Sequence, residues 1–194
     1  MGVARESSAT RSGAGPTDAA LVVSSRAGED WAREALFRRH ARAVGGLAFR
    51  LTGRDADVDD LVQESFMIAF ERLDRLENPQ AFSAWLFGIV VRRAHKLLRR
   101  RRLLTRLGFR DDELDLEWVT GSNAPPDVVT ELREIYARIE SLPPSLRIPL
   151  VLRRVEGLQH AEIAQMTGAS IATVKRRITE AEDTLGIGQE KKER

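Results

Sequence analysis

The chain has 194 residues and a formal net charge of +2, with no cysteine and three histidines. Without thiols there is no disulfide scaffold, thiolate zinc site or cysteine redox switch, and His40, His95 and His160 are too scattered to form a ligand cluster. That length suits one domain or two small ones, and no apolar run approaches the ~20 residues that cross a bilayer, so a cytoplasmic protein without a membrane segment is expected.

Taken in order, the stretch to about Pro16 is small, polar and rich in Gly and Ser, the composition of a disordered tail. Thr17 or Asp18 can cap a short helix to about Arg26. A longer helix follows from about Glu29 to Leu51, offering Trp31, Ala35, Leu36, Val44, Leu47 and Leu51 to a core, with Gly45 and Gly46 weakening its middle. A third starts at Asp55 or Asp57. Its apolar face carries Val58, Leu61, Val62, Ser65, Ile68, Ala69 and Leu73, and Asp60, Gln63, Glu64 and Met67 fall largely opposite. Asn78 then caps a helix with Pro79 in its first turn and Phe82, Trp85, Leu86, Ile89 and Val90 along one side.

Charge is segregated beyond that point. No acid occurs between Asn78 and Arg110, where Arg92, Arg93, Lys96, Arg99, Arg100, Arg101, Arg102, Arg106 and Arg110 accumulate. The run Asp111, Asp112, Glu113, Asp115 and Glu117 follows and ends in a Gly/Pro-bearing stretch, which reads as an acidic linker. A basic block of this kind suits a polyanion. Helices are expected again at about 127–140 and 144–155, with a kink or late start imposed by Pro149.

The segment from Gly157 to Leu185 reads as two helices around a Gly168-Ala169-Ser170 turn. Ala161, Ile163, Ala164 and Met166 give the first a buried side, and Ile171, Val174, Ile178, Ala181 and Leu185 recur every three or four residues along the second. Ser170 can cap the second helix, whose first turns carry Ala172, Thr173, Lys175, Arg176 and Arg177 off the apolar stripe. An end of this kind can enter a DNA major groove; a helical hairpin with a solvated basic face is the alternative. The fold expected is all-α, about eight helices in two small domains: a tail over 1–16, a helical domain over 17–107, an acidic flexible linker over 108–126, a helix-turn-helix domain over 127–186 and a tail over 187–194.

Two stretches together resemble the extracytoplasmic-function (ECF) group of the bacterial sigma-70 family. ALFRRHARAVGGLAFRLTGRDADVDDLVQESFMIAFERLDRL with NPQAFSAWLFGIV is similar to the family's domain for the polymerase clamp and the promoter −10 element. LPPSLRIPLVLRRVEGLQHAEIAQMTGASIATVKRRI is similar to its −35 domain. The resemblance implies a non-enzymatic subunit that binds core RNA polymerase, directs it to promoter DNA and promotes melting, with an anti-sigma factor as a further partner. By position, Asp60, Gln63 and Glu64 would bind polymerase. Arg75, Asn78, Gln80, Ser83 and Trp85 would hold a flipped −10 base and its backbone, although Trp85 also shares core spacing with Phe82, Leu86 and Ile89. Arg92, Arg93, Lys96 and Arg99 would contact phosphates, and Ser170, Ala172, Thr173, Lys175, Arg176 and Arg177 would read the −35 element.

The chain departs from relatives at Arg92, usually Asn, and Lys96, usually Asp, changes that add charge but remove hydrogen-bond readers. Glu180, Glu182 and Asp183 replace basic residues late in the recognition helix and would repel phosphates if they faced DNA, which confines DNA contact to Ser170–Arg177. A free-standing helix-turn-helix regulator acting as a dimer is the competing reading. A magnesium enzyme using Asp57, Asp59, Asp60 and Glu64 lacks supporting histidines or a nucleotide loop, so no cofactor or metal is expected.

Overall fold

The computed structural model describes residues 15–108 and 125–187; the acidic run 111–117 and most of both tails lie outside the described residues. Eight α-helices are present among them and no strand: α1 (Asp18–Arg26), α2 (Asp30–Thr52), α3 (Val58–Glu71), α4 (Phe82–Arg106), α5 (Pro126–Ser141), α6 (Pro144–Arg154), α7 (His160–Thr167) and α8 (Ile171–Leu185). Short 3₁₀ turns precede α3 and α4 and follow α3.

Helices α1–α4 form one bundle. Thr17 caps α1 by accepting the Ala20 N–H, and Asn78 accepts from the Gln80 N–H at 3.0 Å, as the sequence predicts. The core stripe of α2 is Ala32, Leu36, Val44, Leu47 and Leu51, all fully buried. Trp31 departs from expectation: it is 52% exposed. Ala32, one position on, continues the three-to-four spacing inward, while the Trp31 indole bonds the Glu29 carboxylate. Gly46 does not interrupt α2. A Cβ there would lie 2.8 Å from Arg50 Nη1, so the missing side chain gives Arg50 room to fold back along the helix.

Helices α5–α8 form the second bundle. Leu142, Leu146 and Leu150 pack on Ala181 and Leu185 to join α6 to α8. Helix α6 starts at Pro144 and includes Pro149, so of the kink or late start expected there the late start does not occur, and nearly all of its residues from Pro144 to Leu152 are buried. Tertiary packing outweighs one missing backbone bond. Gly168 ends α7 in the left-handed region at φ 68°, its N–H returning to the Ala164 carbonyl, a conformation that side-chain-bearing residues resist.

The two bundles share a buried cluster rather than keeping separate cores. It runs from Leu36 and Leu47 through Val90 and Val91 to Ile148, Leu152, Ile163, Met166 and Val174. Phe49 and Tyr136 meet edge-on across the junction, 5.4 Å between centroids. Arg50 holds Glu156 through two hydrogen bonds, and Arg54 reaches Glu140 at 2.8 Å.

Candidate nucleic-acid and polymerase interface

The face of α3 opposite the core presents Asp60, Gln63 and Met67 to solvent. Glu64 is different, because its carboxylate receives the Arg93 guanidinium. Two residues expected to meet different macromolecules therefore neutralise one another. Asp57 is turned to Arg101 in the same way, and among the described residues no three His, Asp or Glu side chains gather as a metal site.

The segment after α3 is fixed from behind. Arg26 of α1 donates to the carbonyls of Leu73, at 2.9 Å, and Leu76, which leaves Arg75, Asn78 and Gln80 exposed on the outer side. Phe82 is fully buried against the His40 ring, whose Nε2 lies 2.9 Å from Asp18. Trp85, one helical turn on, is half-buried and 6.3 Å from Phe82 between centroids. It belongs partly to the core and partly to a cleft of about 430 Å³ that also takes in Arg75, Asn78 and Arg92. Ser83, half-buried, does not line that cleft.

The opposite wall of the cleft comes from the second bundle, as Glu162, Gln165 and Met166 of α7. Arg92 donates to the Met166 carbonyl at 3.4 Å, and burial together with Arg72 lowers its guanidinium from the ordinary arginine range. Lys96 and Arg99 remain exposed. The first helix of the helix-turn-helix thus covers part of the surface expected to hold the −10 strand.

At the start of α8, Ser170 accepts the Thr173 N–H at 3.2 Å. Ala172, Lys175 and Arg176 are exposed, whereas Thr173 and Arg177 are half-buried. Arg177 shares a cavity with Arg99 and His95 of α4. Burial first, then the charges of Arg99 and Arg177, push the His95 imidazole below its usual value. Further along α8, Glu182 bonds Arg154 of α6 at 2.7 Å and Glu180 lies 3.5 Å from Arg176. Glu182 therefore supports the α6–α8 contact instead of meeting solvent.

The residues that join the bundles, Arg50 with Glu156 and Arg54 with Glu140, and the buried Arg147 beside them were not singled out from sequence. Arg147 alone left a trace in the sequence, a lone charge inside the apolar run from Leu146 to Leu152. It is 2% exposed, and burial pushes its guanidinium down to about 10, still charged at neutral pH.

Residues 36–103 match the family described as Sigma-70 region 2, and residues 132–185 match Sigma-70, region 4. The chain is similar to the ECF RNA polymerase sigma-E factor of Salmonella typhimurium, 32% identical over 183 residues, covering 87% of this chain and 92% of the relative. The ECF RNA polymerase sigma-E factor of Haemophilus influenzae is 30% identical over 185 residues, covering 87% and 93%. Among solved structures, CnrH in complex with the cytosolic domain of CnrY is 28% identical, with a TM-score of 0.60 over 87% of this chain and 94% of that one. The sigma factor RpoE of Bartonella quintana, solved with the anti-sigma factor NepR, shares the fold at 23% identity, with a TM-score of 0.61 over 81% of this chain and 94% of that one.

Proposed function

Starting from a chain that belongs to the extracytoplasmic-function group of the sigma-70 family, we propose that it is a non-enzymatic subunit that directs core RNA polymerase to promoters through −10 and −35 elements and assists melting. The observation that carries this reading is the register of the two family matches with the two bundles, each of which keeps basic residues at its expected reading surface. Asp60 and Gln63 are the contacts proposed for polymerase, with Glu64 joining them once Arg93 is drawn to DNA. Arg75, Asn78, Gln80, Ser83 and Trp85 hold the melted −10 strand, and Arg92, Arg93, Lys96 and Arg99 follow its phosphates. Ser170, Ala172, Thr173, Lys175, Arg176 and Arg177 enter the −35 major groove.

This assignment requires the bundles to separate. The cleft at Trp85 is walled by α7, and Arg177 sits beside Arg99 and His95, so both DNA surfaces cannot be fully occupied in the packed arrangement. Promoter DNA reaches both surfaces only when they are apart, so its binding favours the open form by its differential affinity for that state. An anti-sigma factor, the kind of partner solved with RpoE, would stabilise a packed form by binding across it.

The test is reconstituted transcription with purified core polymerase. Initiation dependent on the chain, together with its co-purification with core enzyme, supports the proposal. Two-fold-symmetric operator binding by the free chain, with no association with core polymerase, would refute it.

A further inference from the structure

Between the C-terminal half of α4 and the first turns of α6 lies a cavity of about 720 Å³. Its walls carry Arg54, Arg101, Arg102, Arg106 and Arg147 against one carboxylate among the described residues, Glu140. Glu140 bonds Arg54 at 2.8 Å and Asp57 takes Arg101, which leaves three guanidiniums. Arg102 and Arg106 form no ion pair with any described residue. They stand one turn apart on α4, the spacing that puts both side chains on one face.

Arg147 makes the cavity more than a basic surface. Its side chain is buried, and its Nε and Nη2 donors, both closed to solvent, have no hydrogen-bond partner, so a ligand in the cavity meets them only with a local shift of the surrounding side chains. A buried charge with unmet donors is destabilising unless an acceptor reaches it. Guanidinium forks match phosphate oxygens two at a time. Three of them call for about three negative charges on one compact ligand, more than chloride or a single carboxylate provides. The volume falls within the range of small-molecule sites, about 300–1,000 Å³.

We propose that this cavity is a binding site for an oligophosphate anion, either an inorganic phosphate chain or the phosphate arm of a nucleotide. Phosphates held by Arg102 and Arg106 on α4 and by Arg147 on α6 link the two bundles. Ligand therefore favours their packed arrangement. Arg102 and Arg106 also line the adjoining cavity that holds Arg99 and Arg177, so the site borders the surfaces proposed for promoter DNA; Arg147, which lines this cavity and not that one, distinguishes the two.

The test is thermal unfolding and calorimetric titration of the full chain with inorganic tripolyphosphate, against sodium chloride at matched ionic strength, with ATP as a parallel arm. Wild type is expected to gain roughly 5 °C in Tm at a hundredfold excess of tripolyphosphate over Kd. Arg147→Met and the exposed double variant Arg102→Gln/Arg106→Gln should each lose at least about tenfold in affinity; if Arg147→Met does not fold, the double variant decides. Tighter binding of ATP than of tripolyphosphate identifies the nucleotide as the source, and equal or weaker binding identifies the bare chain. A Tm rise no larger than that with sodium chloride overturns the proposal. So does unchanged affinity in the double variant, or loss in the double variant with none in a folded Arg147→Met, which would put the anion on the outer face of α4. Binding seen only after the acids of 111–117 are neutralised would also overturn it.

Discussion

Glu156→Gln tests whether charge holds the two bundles together. Arg50 reaches Glu156 through two hydrogen bonds, with the side chains 32% and 16% exposed. An exposed pair contributes at most ~1 kcal/mol, whereas breaking a buried one costs ~3–5 kcal/mol. This half-buried pair lies between those limits, so about 1.5 kcal/mol is expected, partly offset because glutamine keeps one acceptor. That corresponds to roughly a tenfold shift toward separated bundles. The chain has no cysteine, so spin labels at Arg42→Cys on α2 and Thr179→Cys on α8, both exposed, report the distance without background. Pulsed electron resonance should show a single short distance giving way to a longer, broader population in Glu156→Gln, and wild type should move the same way as salt rises. An unchanged distribution in Glu156→Gln, and also in Glu140→Gln, would refute an electrostatic latch and leave the shared apolar cluster as the whole of the contact.

Other outcomes follow from single contacts. Ser170→Ala removes the α8 cap and should lower stability by about 1 kcal/mol in chemical denaturation, since Thr173 N–H loses its acceptor. Lys175→Ala and Arg176→Ala should each reduce the salt slope of −35 duplex binding by about one, while Glu182→Gln, paired with Arg154, should leave that slope unchanged. His95 is held below its ordinary value of 6.5 by burial and by Arg99 and Arg177. The less structured state therefore takes up its proton first, so its contribution is complete above the ordinary value and is lost as pH falls through the folded one. Tm measured from pH 7.5 to 5 should decline, and His95→Gln should flatten that part of the profile.

Much of the helical architecture was legible because it rests on local rules. Thr17, Asn78 and Ser170 cap where their side-chain oxygens can reach free amides, and the apolar spacing of α4, and of α8 from Val174 to Leu185, marks which sides are buried, whereas Ile171 at the start of α8 is exposed. Trp31 escaped, and Pro149 did not delay the start of α6, for a common reason: each local preference is overridden by packing, through Ala32 in the first case and the buried faces of α6 in the second. The reading surfaces were legible as residue types. Their partners were not: Glu64 with Arg93, Arg92 with Met166 and Glu182 with Arg154 are separated by 29, 74 and 28 residues.

Periodicity, capping residues and the separation of basic from acidic stretches were enough, without coordinates, to specify an all-helical chain of two modules and most of the inward-facing residues, because those properties act over a few residues; Trp31, Ala161 and Ile171, placed inward by spacing, are exposed. The meeting of the bundles, the cover that α7 lays over the Trp85 cleft and the burial of Arg147 arise from contacts between segments far apart in sequence. Charge, size and spacing along a chain say which groups need a partner; only three-dimensional packing selects which partner arrives, and at Arg147 it supplies none for two of the donors.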